Sequence, residues 1–336
     1  MSGTRLGALA ASLALVLATV GVAPTYAGDR VAQRAVQQHQ RIVVRWQGYQ
    51  KDPTYQRTAN VPGIGRVDLV CRPKSTMIRL HANDRSAETQ LWMAKFETKN
   101  GTDRVAVKNV RIYTYATAAD DGTGGTGSRA HEGLNQKTPI EDFAKGSAYG
   151  VISRRPGRNH PGGGTMTAPA TAFKLTWYWE RFAHPGSQSC RMTLALRTDT
   201  EQQFGLSWHG DDEAAVQDTS TASLPGFGEV QLRCETGRYG DQTVALETDD
   251  PDSYMDYEYV RGEGRVADHV DHYADLRRDP VTGLLGPVDL PTNGMMRIWW
   301  SVNGVKRLWV LSSYLVVNND AKPALNLCEV AATRLS

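Results

Sequence analysis

The chain has 336 residues, and its content of 40% hydrophobic and 22% charged residues is ordinary for a globular protein of about two domains. Beyond its first 22 residues no stretch is apolar enough to span a membrane, which argues against an integral membrane protein. The net charge of +2 conceals a strong asymmetry. Residues 28–200 carry 26 basic and 14 acidic side chains, whereas residues 201–336 carry 11 and 22. Such a separation concerns partners and association rather than the fold.

The N-terminus has the pattern of a secretory signal peptide. Arg5 precedes a nearly continuous run of small and apolar residues over 6–22, and Thr25 and Ala27 are small residues at the positions that a signal peptidase reads. A membrane anchor is the alternative, but the run is shorter than the roughly 20 residues that a span needs. We therefore expect residues 1–27 to be removed and the mature protein to be secreted and extracellular.

A long-range repeat organises the remainder. Residues 58–71 read TANVPGIGRVDLVC, and residues 221–234 read TASLPGFGEVQLRC, at a constant offset of 163. In each copy a Pro-Gly turn leads into an alternating strand that ends on a cysteine. The repeat predicts a polar lead-in over residues 28–40, a basic module over 41–200 and an acidic module over 201–336.

The four cysteines fit the same scheme. An exported chain with an even number of cysteines favours disulfides over thiols or metal ligands. Four cysteines allow three pairings, and the repeat selects one, because each module then has an early and a late partner. The predicted bridges are Cys71–Cys190 and Cys234–Cys328.

Short alternating segments follow one another in both modules. In the first they cover 41–46, 66–72, 76–81, 88–97 and 105–115, with a hairpin signal at Asn100-Gly101. Residues 116–172 interrupt the pattern with glycine-rich stretches and are interpreted as a loop insertion, within which a helical turn over 139–145 and a strand over 148–153 are expected. The second module ends in a hairpin around Asn303-Gly304. The predicted fold class is all-β: two tandem homologous antiparallel β-sandwich modules, Ig-like or jelly-roll-like, each with one disulfide.

The tryptophans divide into two groups. Trp46 and Trp208 occupy equivalent places in the repeat, and together with Trp177 and Trp299 they are predicted to lie in the core. The other four are candidates for an aromatic platform on which sugar rings stack, and they are the predicted carbohydrate-binding residues: Trp92, Trp179, Trp300 and Trp309.

Clusters of acidic and histidine residues give only weak signals for a metal. Carboxylates are the ligands that calcium prefers, but the spacing and the glycine of an EF-hand are missing. No metal site or cofactor is predicted, and calcium stays a weak possibility at one set of residues: Asp249, Asp250, Asp252, His269, Asp271 and His272. His131-Glu132 begins like a zinc-protease motif, but Asn135 stands where the second histidine belongs.

The densest basic cluster lies within the predicted insertion and is a candidate for binding an anion. Its members are Arg129, Arg154, Arg155 and Arg158. Nucleic acid is an unsuitable target for an exported protein with so little aromatic interleaving at this cluster. An anionic surface polymer or glycan, or the acidic half of another copy of the chain, fits better.

No pattern identifies catalytic residues. There is no phosphate-binding loop and no G-x-S-x-G elbow, and the cysteines are assigned to bridges. The leading hypothesis is a secreted, non-catalytic binding or assembly protein with oppositely charged halves. The halves can dock within one chain, which is entropically easier, or meet head to tail between chains. The alternative is a carbohydrate-binding or carbohydrate-active extracellular protein.

Overall fold

The computed structural model describes residues 36–73, 75–84, 87–112, 133–138, 143–155, 162–164, 166–180, 184–210, 217–235, 242–261, 270–316 and 326–336. The predicted signal peptide, residues 1–27, lies outside the described residues. Within the described part of the chain, no helix has the length and apolar character needed to cross a membrane.

The described chain is built almost entirely of strands. Those of residues 36–199 are β1 (Gln37–Gln47), β2 (Gln56–Val61), β3 (Gly65–Arg72), β4 (Ser75–Ala82), β5 (Glu88–Lys99), β6 (Thr102–Ile112), β7 (Gly133–Thr138), β8 (Phe143–Arg155), β9 (Gly162–Gly164), β10 (Ala168–Glu180) and β11 (Ser189–Asp199). The later ones are β12 (Gln203–Gly210), β13 (Gln217–Leu224), β14 (Gly228–Glu235), β15 (Gln242–Glu247), β16 (Tyr254–Arg261), β17 (Val270–Arg277), β18 (Leu284–Asp289), β19 (Asn293–Val302), β20 (Val305–Val316) and β21 (Asn326–Arg334). A 3-10 turn over Pro185–Ser187 lies shortly before β11.

These strands form four sheets in which the pairings are antiparallel. Sheet A has the order β1-β11-β10-β8-β5-β6, and sheet B has the order β2-β3-β4-β7. Sheet C has the order β17-β16-β19-β20-β21-β12-β9, and sheet D has the order β13-β14-β15-β18. The all-β prediction is confirmed.

Three apolar clusters hold the four sheets together as layers. One fills the space between sheets A and B, where Trp46, Leu69 and Phe173 are buried. A second lies between sheets C and D, around Trp208 and Trp300. The third lies between sheets A and C. The layers therefore run B, A, C, D, and Ala35–Ser336 form one compact unit.

Both disulfides join facing sheets within a sandwich. Cys71 on β3 is bonded to Cys190 on β11, and Cys234 on β14 is bonded to Cys328 on β21. All four cysteines are buried, and the pairing is the one that the repeat predicted.

The Asn-Gly turns also agree with the sequence. Asn100 and Gly101 have φ values of 49° and 78°, and Asn303 and Gly304 have 51° and 71°. The type I′ form of a two-residue hairpin turn requires positive φ at both central positions, which asparagine and glycine tolerate best. Each turn closes the hairpin that the sequence placed there, β5–β6 and β19–β20.

Two boundaries differ from the sequence prediction. β1 begins at Gln37, so the end of the predicted lead-in belongs to a strand. Much of the predicted loop insertion over 116–172 is also strand, because it contains β8 and the start of β10. Two glycines of β8 leave room for aromatic rings of the neighbouring strand β10. A Cβ on Gly150 would lie 2.3 Å from the ring of Phe173, and one on Gly146 would lie 2.4 Å from the ring of Trp177.

Candidate functional site

The four tryptophans predicted to bind carbohydrate lie in the core. Trp92 is 1% exposed and packs between sheets A and C, Trp179 lies between sheets A and B, and Trp300 and Trp309 lie between sheets C and D. A buried ring cannot stack on a sugar, so the prediction for Trp92, Trp179, Trp300 and Trp309 is wrong. Of the four predicted core tryptophans, Trp46, Trp177 and Trp208 are buried, whereas Trp299 is only partly covered.

The two described members of the predicted anion-binding cluster, Arg154 and Arg155, are buried. Arg154 donates hydrogen bonds to the carbonyls of Gly63 and Ile64 and to the side chain of Asn83. Arg155 is 1% exposed and lies 3.3 Å from Glu329 across the interface between sheets A and C. These two arginines stabilise the fold, which corrects the prediction for them, and Arg129 and Arg158 lie outside the described residues.

Members of the acidic run have structural partners. Both carboxylate oxygens of Asp250 accept backbone hydrogen bonds, one from Asp252 and the other from Asn303 at 2.6 Å. In the part of the chain that the structure describes, which includes Asp249, Asp250, Asp252, Asp271 and His272, no group of three acidic, histidine or cysteine side chains is placed to hold a metal. His269 lies outside the described residues.

The structure instead brings basic residues together on sheet A. Its outer face packs against sheet C at one end, where Ala170, Tyr149 and Val151 are buried, and extends beyond sheet C at the other. The exposed end carries five cationic side chains, which we call the basic sheet face: Arg41, Arg45, Lys145, Lys174 and Arg191. None of the five has an ion-pair partner among the described residues.

Strand register sets the spacing of these charges. Arg45 on β1 lies opposite Arg191 on β11, which lies opposite Tyr178 on β10, which in turn lies opposite Lys145 on β8. A second row, four residues along, contains Arg41 and Lys174. At about 3.3 Å per residue the two rows are roughly 13 Å apart.

Tyr178 lies at the centre of this face. It is 38% exposed, and it borders two shallow depressions of about 380 and 620 Å³. Arg45 and Arg191 line the first, and Lys145 and Phe96 line the second. An extended groove thus crosses the sheet, with an aromatic ring in the middle and cations on both sides. Glu180, which accepts a hydrogen bond from Tyr178, lines the first depression together with the two arginines, and Asp103 lines the second.

The pair of arginines costs stability in the free protein. Like charges directly opposite each other on one sheet face repel. We expect Arg45→Thr, which keeps good strand propensity, to raise the free energy of unfolding by roughly 0.2–1 kcal/mol at low salt, and the gain to vanish at high salt. Urea denaturation at two salt concentrations measures this. A loss of stability would show that Arg45 makes a stabilising contact in the fold.

No family model, no curated protein and no solved structure matches this chain. The fold places it among the all-β proteins with several sheets and two disulfides.

Proposed function

We propose that this is a secreted, non-catalytic binding protein and that the basic sheet face binds an anionic polysaccharide. The observation that carries the proposal is the direct opposition of Arg45 and Arg191 beside the exposed ring of Tyr178. An extended anionic glycan offers regularly spaced negative groups for the arginines and a sugar face for the ring. Arginine suits this role because its guanidinium makes paired hydrogen bonds to carboxylate and other oxyanion groups.

Secretion is part of the proposal. It is supported by the N-terminal signal pattern and by two buried disulfides, which persist in oxidising compartments. An extracellular site also places the basic sheet face where surface polysaccharides occur.

We also propose that the two halves arose by duplication. Sheet A has the order β1-β11-β10-β8-β5-β6, and sheet C without β9 has the order β12-β21-β20-β19-β16-β17. Each strand of the second series takes the place of its counterpart in the first, and sheets B and D correspond in the same way. Trp46 lies opposite Cys190, just as Trp208 lies opposite Cys328.

The way in which the halves meet leaves their charge available to partners. The cluster between sheets A and C is mainly apolar, and it includes Trp92, Val151 and Val310. Among the described residues few ion pairs cross it, and they include Arg155 with Glu329 and Arg334 with Asp199. The five cations of the basic sheet face therefore stay on the surface.

The test is binding of defined polyanions by titration calorimetry, with heparin as the sulfated probe, polygalacturonate as the carboxylated probe and neutral dextran as the blank. We expect one of the two anionic chains to bind and the double variant Arg45→Gln/Arg191→Gln to weaken it by about 10-fold or more. Tyr178→Ala should also weaken binding, and the affinity should fall as salt rises.

A matched control removes the same charge elsewhere. Arg57 and Arg66 are exposed residues of sheet B in the same half, so Arg57→Gln/Arg66→Gln has the same net charge as the test variant. Equal weakening by both variants, or double-stranded DNA competing as strongly as the polysaccharide, would show a general charge effect and contradict the proposal. Binding of neither polyanion would also contradict it.

Self-association through the opposite charges is the second candidate function. The charge asymmetry favours it, since a head-to-tail contact between basic and acidic halves does not close and propagates. Light scattering of the ligand-free protein over a concentration series separates the two. A mass that grows with concentration at low salt and falls at high salt supports assembly, whereas a constant mass of one chain rules it out.

A further inference from the structure

A second aromatic surface lies on the other half of the molecule. Tyr257 and Tyr259 on β16 and Tyr273 on β17 form a stack that we call the tyrosine surface. The rings of Tyr257 and Tyr273 are 4.7 Å apart and tilted by only 18°, and Tyr259 lies 6.0 Å from Tyr273 at 22°. Tyr273 is 45% exposed on the edge strand of sheet C, whereas Tyr259 is buried.

The hydroxyl end of the stack is polar and organised. Arg261 donates to the hydroxyl of Tyr259 at 2.9 Å and covers its ring at 4.7 Å. Burial, followed by hydrogen bonds with Tyr273 and Asp271, raises the pKa of the Tyr259 hydroxyl, so it stays a neutral donor and acceptor. The surface thus combines an apolar ring face with a fixed set of hydrogen-bonding groups at its rim.

A β-bulge sets the position of Tyr273. The pairing of β16 with β17 shifts between Met255 and Tyr257, and Asp275 within the shift has a φ of 58°. The backbone N–H of Asp275 donates to Asp256, which fixes the bulge. Bulges are over-represented beside functional sites, where they redirect a side chain. Here the bulge brings Tyr273 directly opposite Tyr257.

We infer that the tyrosine surface is a second binding site, one that takes a neutral sugar unit of a glycan. The exposed face of Tyr273 stacks on the apolar face of the pyranose ring, and Asp271 and the hydroxyls of Tyr257 and Tyr273 form hydrogen bonds with the sugar hydroxyl groups. Large apolar contact with a few placed polar groups is the usual composition of a small-molecule site.

Charge favours a neutral ligand over an anionic one. Burial is the largest cause of the raised pKa of the Tyr257 hydroxyl, followed by Tyr273 and by the negative charges of Asp289 and Asp271, so both carboxylates act on this ring. Arg261 is engaged with Tyr259. An anionic group would meet two carboxylates and one occupied guanidinium. The tyrosine surface and the basic sheet face therefore select different chemistry.

The test uses a panel of neutral hexasaccharides, namely cellohexaose, xylohexaose, maltohexaose and N-acetylchitohexaose, at about 1 M salt, where the Debye length of roughly 3 Å suppresses binding by charge. Ligand-observed NMR and calorimetry measure the affinity. We expect at least one member to bind and Tyr273→Ala to weaken it by about 10-fold. No binding up to about 10 mM, which corresponds to less than roughly 3 kcal/mol, would overturn the inference.

Two further variants separate binding from a purely structural role. Tyr273→Leu keeps apolar contact with Tyr257 in the hairpin but removes the ring, and Asp271→Asn keeps the size of the side chain and removes its charge. We expect Tyr273→Leu to remain folded by circular dichroism and to lose binding, and Asp271→Asn to weaken it. Tyr49→Ala is the control, because it removes a 76% exposed tyrosine that lies in the other half of the sequence from Tyr273, and this variant should bind normally. Unchanged binding by Tyr273→Leu would refute stacking.

Discussion

Replacing Cys71 and Cys190 together by alanine is expected to lower the free energy of unfolding by about 4–5 kcal/mol, because the bridge closes a long loop in the unfolded chain. The bonded residues are 119 apart in sequence, so the reduced chain gains many conformations that the bridge forbids. Both sulfurs are buried between sheets A and B, so the loss also leaves unfilled space in the core. A change of this size is a large part of the stability of a typical protein.

Urea denaturation without reductant measures the effect, and the matched variant removes Cys234 and Cys328. Cys234 and Cys328 are 94 residues apart, close to the 119 residues between Cys71 and Cys190. We therefore expect the loop-closure contributions of the two bridges to differ by only a few tenths of a kcal/mol. The dependence of unfolding free energy on urea should become steeper in both variants, because the unfolded chain exposes more surface. A loss below about 1 kcal/mol with an unchanged slope would contradict the loop-closure argument.

The disulfide pairing was predictable because it depends on a pattern within the chain. The two Pro-Gly segments have the same offset from their cysteines, and the Asn-Gly turns fix their hairpins locally. Such signals need no knowledge of which sheets pack together. For the same reason the all-β class could be read from alternation and turns alone.

The prediction for Trp92 failed because alternation identifies the faces of a strand but not what covers each face. The other three, Trp179, Trp300 and Trp309, lie in the cores within the two sandwiches, beside the predicted core residues Trp177 and Trp208. Trp92 and Trp177 point to opposite sides of sheet A. One side is covered by sheet B and the other by sheet C, so both residues are buried. In a single two-sheet sandwich the side of Trp92 would have faced solvent. Only the packing of four layers distinguishes the two cases.

The basic sheet face could not be found from local sequence. Arg45 and Arg191 are 146 positions apart and become neighbours only through the pairing of β1 with β11. Arg154 and Arg155 are adjacent in sequence and formed a visible cluster, yet β8 places both in buried surroundings. The tyrosine surface gave a partial signal, since Tyr257 and Tyr259 alternate along one strand, but Tyr273 joins them through a bulge that the sequence does not mark.

Replacing Glu329 by alanine is expected to lower the free energy of unfolding by about 3–5 kcal/mol, the usual cost of removing one member of a buried ion pair. Glu329 is fully buried between sheets A and C, 3.3 Å from Arg155 and 2.7 Å from the side-chain amide of Gln90. Gln90 in turn donates to Glu88 and accepts from Trp92. The variant leaves a buried guanidinium without this carboxylate and disturbs a hydrogen-bonded network that joins the two halves.

The double variant Arg155→Met/Glu329→Leu distinguishes the charge from the packing. Replacing both members of a buried pair by apolar residues of similar size is often neutral or stabilising, so we expect the double variant to recover most of the loss. Urea denaturation of the two single variants and the double variant gives the coupling energy. If Glu329→Ala costs less than about 1 kcal/mol, the pair adds little to the interface and the apolar cluster alone holds the halves together. If the double variant is as unstable as the single one, the carboxylate matters through Gln90 rather than through Arg155.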